Sequence, residues 1–566
     1  MKAIIKDYLT ILKEDGELDA LLVNLLFHMN IEPKSRPQKG RQHGVDIMAV
    51  GKDPEDDIKK VFLISVKRGN LDRNNWNSGK NSIKPSLEEI FEVYIPTQIA
   101  KEYTSLPVKI VFAMNGVIEQ TAMPLWNGYK NKNSKRKIKL VDWDIDKIAL
   151  MSEEYLFNET LLPGSSLLLL RKSLAFIDVN DYNLLHVTQL FNNILFHNKS
   201  SKEKPLGKYK RLSLINICVN LIFKWAREQN NLKNALFTAE RGVLLSWKFV
   251  AEQKGENDKK FIKQFVEITT TLLNVQHAYG EKTIQYCFVK DSLNYVGRLN
   301  HSEYTLLCYE YLGIISTVGL NYYYLAETLD VAYKNEALNE NMSLLNQRVV
   351  ELSESLLQFV FNNPGCNYPV YDSHSIELNL AFLFLYKTGR SEEIKSWIDR
   401  ILKTIEITYS RTKFFPLFYE SHDKLIDAKV NGITEKQPSS ILLTIIAEWC
   451  VVLNSPTLYK NLLEMNKRHF PEINLQLWYP DKEIEKHLYT ENADQECGKT
   501  KYSITLYDDM IEYEKEIIEE LNMMNLSPEL ELGFFKNGFP FLGLLASRHY
   551  KTMVFPYYWR SLVKVV

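Results

Sequence analysis

Gly44-Val-Asp46-Ile-Met-Ala-Val-Gly51 and, further on, Val61-Phe-Leu-Ile-Ser65-Val-Lys67-Arg68-Gly69 decide how the first part of this chain is read. Both are short apolar runs closed by glycine, the pattern of buried strands. Asp46 stands at the start of the first run, where a carboxylate is expensive unless it binds something. Ser65 and Lys67 share one face of the second, because strand side chains alternate with period two. Alone, Asp46 reads as a turn acid and Lys67 as a strand-end lysine with its stem on apolar surface. On adjacent strands the two come together, and as a pair they read as a site.

Outward from these strands, residues 3–29 read as helix, with Leu18, Leu21, Leu22, Leu25 and Leu26 forming an apolar stripe. A second helix is expected at about 85–104, kinked or split by Pro96. Val108-Lys-Ile-Val-Phe-Ala-Met114 and Ile138-Lys-Leu-Val-Asp142 read as two more strands. Helix, strand, strand, helix, strand, strand suits an α/β domain over residues 1–165, a mixed sheet flanked by helices. The pattern changes at Pro163-Gly164, the expected boundary. Residues 166–566 are expected to form a large all-α domain, in one or two subdomains, that senses, positions substrate or recruits partners. Within it, Leu378 to Trp397 reads as two helices around Gly389 and resembles a tetratricopeptide- or HEAT-type hairpin. Residues 440–468 look similar, broken at Asn454-Ser-Pro456, and Tyr322-Tyr-Tyr324 reads as helix core or interface.

Composition removes several classes. The chain has 566 residues, 45% hydrophobic and 25% charged, ordinary for a globular protein of more than one domain. The opening stretch carries Asp7 and Glu14 where a signal peptide is apolar, and no run is long enough to span a membrane, so a cytoplasmic protein is expected. The six cysteines have no CxxC-type spacing, against both a zinc site and a disulfide framework. Net charge is −1, but residues 1–150 hold 24 basic and 20 acidic residues, a local balance of +4. That asymmetry weakly favours a nucleic-acid surface at the N-terminal end.

Phosphodiester hydrolysis needs acids to hold one or two Mg²⁺ ions and a cation or base beside the attacking water. Asp46 and Lys67 supply one of each. Together with their surroundings they resemble the PD-(D/E)XK nuclease superfamily, and within it the Mrr-type restriction endonucleases. The resemblance covers residues 18–143. Leu18-Asp19-Ala-Leu-Leu22 is similar to the family's opening helix, Gly44-Val-Asp-Ile47 to its acidic strand, Phe62 to Arg68 to its lysine strand, and Asn115-Gly116 to the close of the third.

The resemblance implies a restriction-endonuclease-like core and a Mg²⁺- (or Mn²⁺-) dependent endonuclease. Asp46, Asp19, Ser65 and Lys67 are then the site residues, and DNA is preferred to RNA, in restriction or defence against foreign DNA. Where the family carries Asp, Glu or Gln, this chain has Ser65, and a hydroxyl is a poor Mg²⁺ ligand. The second acid is therefore assigned to Asp19, with Glu88 or Glu89 as the alternative.

For nucleic-acid contact, Lys130, Lys132, Lys135, Arg136, Lys137 and Lys139 place six basic residues in ten, read as a loop leading into a strand. Arg41, His43 and Arg68 flank the site itself. The competing reading is an interaction protein: the α/β domain binds nucleic acid without cutting, and the helical domain docks protein partners or a second copy of the chain.

Overall fold

The computed structural model describes residues 2–35, 43–77, 82–135, 137–156, 164–179, 182–196, 207–294, 301–332, 339–431, 437–481, 483–489, 498–501, 503–523 and 531–563. The chain packs as two compact units, Met1–Gly242 with Lys263–Thr271, and Val243–Ile262 with Leu272–Val566.

The first unit is built on a mixed five-stranded sheet in the order β1 (Ile31–Pro33), β2 (Ile47–Lys52), β3 (Lys59–Lys67), β4 (Val108–Met114), β5 (Ile138–Trp143). β1, β2 and β3 pair antiparallel, and β3, β4 and β5 run parallel. Every residue of β4 is buried, which is why its run lacks the alternation of a half-exposed strand. Val61 and Leu63 of β3 share one core with Trp76, Leu87, Ile90 and Trp126, carried by the crossovers before β4 and β5.

Those crossovers are α3 (Arg73–Asn77) and α4 (Ile83–Glu89) before β4. The chain continues through a π-helical turn at Ile90–Tyr94 into α5 (Ile95–Thr97), where Pro96 sits at the start of a new helical segment. α6 (Met123–Asn133) links β4 to β5. α7 (Ile145–Tyr155) follows β5 and is capped by Asp144, which accepts from the Lys147 N–H at 2.8 Å.

The single opening helix expected over 3–29 is two helices. α1 (Lys2–Ile11) stops before Lys13, a π-helical turn occupies Glu14–Leu18, and α2 (Asp19–His28) follows. The ladder breaks at Leu12-Lys13, where Lys13 takes an extended backbone (ψ 156°), and Gly16 lies inside the π-helical turn that follows. Both helices pack against α7, and α2 also lies against β2.

The helical part of the chain begins inside this unit: α8 (Gly164–Ala175), α9 (Leu185–Phe196) and α10 (Lys208–Glu228) belong to it. The boundary expected at Pro163-Gly164 falls at the edge of a segment outside the described residues, and the compact unit runs on to Gly242.

The second unit is mostly helical, including His301–Ala332, Ser375–Lys387, Ser391–Thr412, Leu442–Val452 and Pro456–His469. Gly389 takes φ +77° between two of these helices and Asn454 φ +46° between another two. Tyr322 is buried on its helix. Cys218, Cys287, Cys308, Cys366 and Cys450 are free and buried. No described helix is long and apolar enough to cross a membrane.

Candidate active site

The antiparallel register sets Ile47 opposite Ile64, and the next backbone bond, Asp46 N–H to Ile64 O at 2.9 Å, carries the pairing one residue further. Asp46 thus faces Ser65, with Lys67 two residues along on the same face. The Val66 N–H donates to Asp46 Oδ2 at 2.7 Å. The site lies at the carboxyl ends of the parallel strands, where open α/β sheets leave a crevice.

Gly44 makes this approach possible. Its φ is +77°, and a Cβ there would lie 2.0 Å from the Ser86 carbonyl oxygen of α4.

Glu14, an acid that the sequence reading placed inside a continuous helix, completes the group. Its Oε1 accepts from Lys67 Nζ at 2.9 Å, and its Oε2 accepts from the Arg68 N–H at 3.1 Å. Asp19 opens α2 and is buried, its Oδ1 accepting from the Ala20 N–H at 2.6 Å. The signal for Glu14 was present: Glu14-Asp-Gly16-Glu17 interrupts an otherwise apolar period, the usual mark of a break.

Burial pushes the Asp46 carboxyl up to about 6, and the charges of Glu14 and Asp19 push the same way against the Val66 N–H and Lys67. A carboxylate held this way is short of positive charge.

Asn115, from the end of β4, locks the surrounding backbone. Its Oδ1 accepts from the Gly69 N–H at 2.8 Å, and its Nδ2 donates to the Leu9 and Leu12 carbonyls at 2.9 and 3.0 Å. One buried amide therefore ties the segment just after the Lys67 strand to the end of α1, which precedes the turn that carries Glu14.

The other expected residues fall as follows. Ser65 is buried on the site face. Glu89 lies 3.7 Å from His43 Nδ1 and Glu88 lies 3.6 Å from Lys84. Neither is among the charges acting on Asp46, which come from Lys67, Glu14 and Asp19. His43, at φ +49°, turns toward α4. Arg68 is exposed beside the site, and Arg73, which begins α3, is also exposed. Arg41 and Arg136 lie outside the described residues.

The basic stretch is not one free loop. Lys130 and Lys132 end α6, and Lys139 is in β5. Lys130 pairs with Asp142 at 2.8 Å and Lys139 with Glu55 at 3.2 Å. Lys132, Lys135 and Lys137 are exposed. The stretch sits at the amino ends of the parallel strands, about 20 Å from Asp46 by four residues of strand rise and three strand spacings.

Asp46, Asp19 and Glu14 fit a hard divalent cation in kind, being oxygen donors whose mutual repulsion such an ion relieves. Among the described residues no three acid, histidine or cysteine side chains form a closed cluster around one point, and Glu14 is engaged by Lys67. Compared with protein-family models, curated proteins and solved structures, the chain matches none of them.

Proposed function

We propose that the first unit is a Mg²⁺- or Mn²⁺-dependent nuclease that cleaves phosphodiester bonds, with DNA as the preferred substrate and defence against foreign DNA as its setting. The observation that carries this reading is the grouping of Asp46, Ser65 and Lys67 on one face at the carboxyl end of β3, with Glu14 bonded to Lys67 and the charges of Glu14 and Asp19 acting on Asp46. This is one lysine among three acids, one of them with a raised pKa. Asp46 and Asp19 would hold the cation, with Glu14, which is bonded to Lys67, as a further oxygen donor. The cation supplies Lewis-acid polarisation of the phosphate and a more acidic bound water. Lys67 then sets its ammonium against the charge that grows on the phosphate oxygens and orients the water. Arg68, exposed beside the site, and Arg73, exposed at the start of α3, hold the flanking backbone. The preference for DNA and the defence role rest on the resemblance of the motifs to Mrr-type enzymes.

A second reading has one observation in its favour. The Glu14–Lys67 ion pair closes the lysine off, as it would in a domain that binds nucleic acid without cutting it.

Full-length protein incubated with single- and double-stranded DNA and RNA in Mg²⁺ or Mn²⁺ separates the two readings. Cleavage lost in Asp46→Ala and Lys67→Ala proteins of unchanged fold supports the nuclease. Binding without metal-dependent cleavage of any of the four substrates supports the binder.

A further inference from the structure

The turn Glu14–Leu18 delivers one acid to the site and runs straight on into α2, which carries another; it is that helix's π-helical first turn, with a glycine at its centre. Such a turn has little intrinsic stability, and something must hold it. Glu14 faces the site. Glu17, on the same turn, bonds to α10.

Lys224 of α10 is 2% exposed at its side chain and its ammonium bonds Glu17 Oε1. Glu17 Oε2 also accepts from the Lys13 N–H at 2.8 Å. Burial alone would raise the Glu17 carboxyl, but the Lys224 bond and the Lys13 N–H outweigh it, and the group ends below its ordinary range. Arg227, one turn further along α10, adds positive charge.

The same helix grips the far end of α2. Lys210 Nζ donates to the His28 carbonyl at 3.1 Å and to Asn30 Oδ1 at 3.0 Å. Ser213 Oγ bonds His28 Nε2 at 3.1 Å and Asn24 Oδ1 at 3.3 Å. α10 therefore runs antiparallel to α2, with Lys210 at one end and Lys224 at the other, about four turns apart. An apolar residue would pack at position 224 without desolvating a charge, so a buried lysine there serves its bond to Glu17.

We propose that Lys224 is a positioning residue for the Asp46 site, acting through Glu17: it fixes the turn that holds Glu14 against Lys67 and sets the entry of Asp19. This rests on the nuclease reading for its consequence in activity, but not for the latch itself. The segment that carries Lys224 lies far outside the strand motifs, so the helical part of the chain supplies a support that the α/β core lacks.

The test uses full-length Lys224→Met, which keeps the apolar stem, together with Lys224→Arg, Glu17→Gln and the Lys224→Met/Glu17→Gln double variant. Amide hydrogen exchange reads the latch directly. The Arg68 amide, bonded to Glu14, and the Leu18 amide, bonded to the Lys13 carbonyl at 3.0 Å, should exchange at least about tenfold faster in Lys224→Met. Lys224→Arg should restore protection, and the double variant should add little to either single one.

With nuclease activity in hand, kcat should fall on the order of 10²-fold in Lys224→Met, the effect of misplacing a site by about 1 Å, with KM changed far less. Unchanged protection at Arg68 and Leu18 in a folded Lys224→Met protein overturns the proposal. Faster exchange in a protein whose wild type never cleaves nucleic acid would retain the latch and remove the nuclease reading instead.

Discussion

The two ends of the first unit's sheet treat buried charge in opposite ways. At the amino ends of the parallel strands, Lys60 and Lys109 are buried, and both donate to Asp53 Oδ2 at 2.8 Å. Lys109 also meets Glu55 at 3.0 Å, and Asp56 closes on Lys60. Burial would raise Asp53, but its two lysines outweigh this and hold it below the ordinary carboxylate range. At the carboxyl ends, Lys67 is taken up by Glu14, and Asp46, under burial and the charges of Glu14 and Asp19, is held up at about 6. One end is a balanced structural network. The other carries an electrostatic debt within a fold that is otherwise consistent, and such places are where binding sites are found.

Breaking the balanced end should have the largest effect on stability. Asp53→Ala removes the acid shared by two buried ammonium groups, leaving Lys109 to Glu55 and Lys60 to Asp56, and should lower unfolding free energy by about 2–4 kcal/mol. Urea denaturation measures it, and a loss below about 1 kcal/mol would mean the network is solvated rather than structural.

At the other end, Lys67→Ala should cost activity instead, roughly 10²–10³-fold in cleavage rate, as for loss of one charge-stabilising donor. Its thermal midpoint should stay close to that of the wild type. A protein that lost stability but kept its activity would reverse the roles assigned to the two ends.

A smaller effect of unusual sign is expected at Asp46. A carboxyl whose pKa is raised by folding binds its proton more tightly folded than unfolded. Its contribution to stability is therefore full below about pH 4, declines as pH rises toward about 6, and stays lost above that. Asp46→Asn keeps an oxygen to accept from the Val66 N–H and removes the charge. It should gain about 1–3 kcal/mol at pH 7 and flatten the dependence of stability on pH between 4 and 6. Thermal denaturation across that range checks the sign.

The smallest effects belong to the basic stretch. Lys132→Ala, Lys135→Ala and Lys137→Ala should each reduce the slope of log affinity against log salt by at most about 0.9 on duplex DNA. Lys130→Ala and Lys139→Ala should change it less, because those lysines are already paired with Asp142 and Glu55. Equal slopes for all five would mean the stretch does not touch phosphate.

What was legible in the sequence follows from local physics. β3 and β4 declare themselves because β-branched runs covered on both faces need no alternation, and Lys67 stands out as the charge that ends β3, as Asp46 does just before β2. α6 does not declare itself. Met123-Pro-Leu-Trp-Asn-Gly-Tyr-Lys-Asn-Lys-Asn133 is a poor helix former, and burial of Trp126, with its Nε1–H donating to Asp142 at 2.9 Å, helps override propensity. β1 is three residues on the sheet edge, too short for periodicity to mark. Glu14 was hidden because the apolar stripe of α2 invited one long helix through Gly16. The Asn115 and Lys224 contacts span long stretches of chain, and no local pattern encodes them.

The central claim is that the carboxyl-end acids serve phosphodiester cleavage. The most direct measurement is nicking of supercoiled plasmid by wild-type and Asp46→Asn proteins in Mg²⁺, side by side, with both shown to be folded. The account predicts metal-dependent nicking by the wild type and none above background by the variant. Equal nicking by the two folded proteins, or binding of the plasmid by the wild type with no cleavage in Mg²⁺ or Mn²⁺, would contradict it.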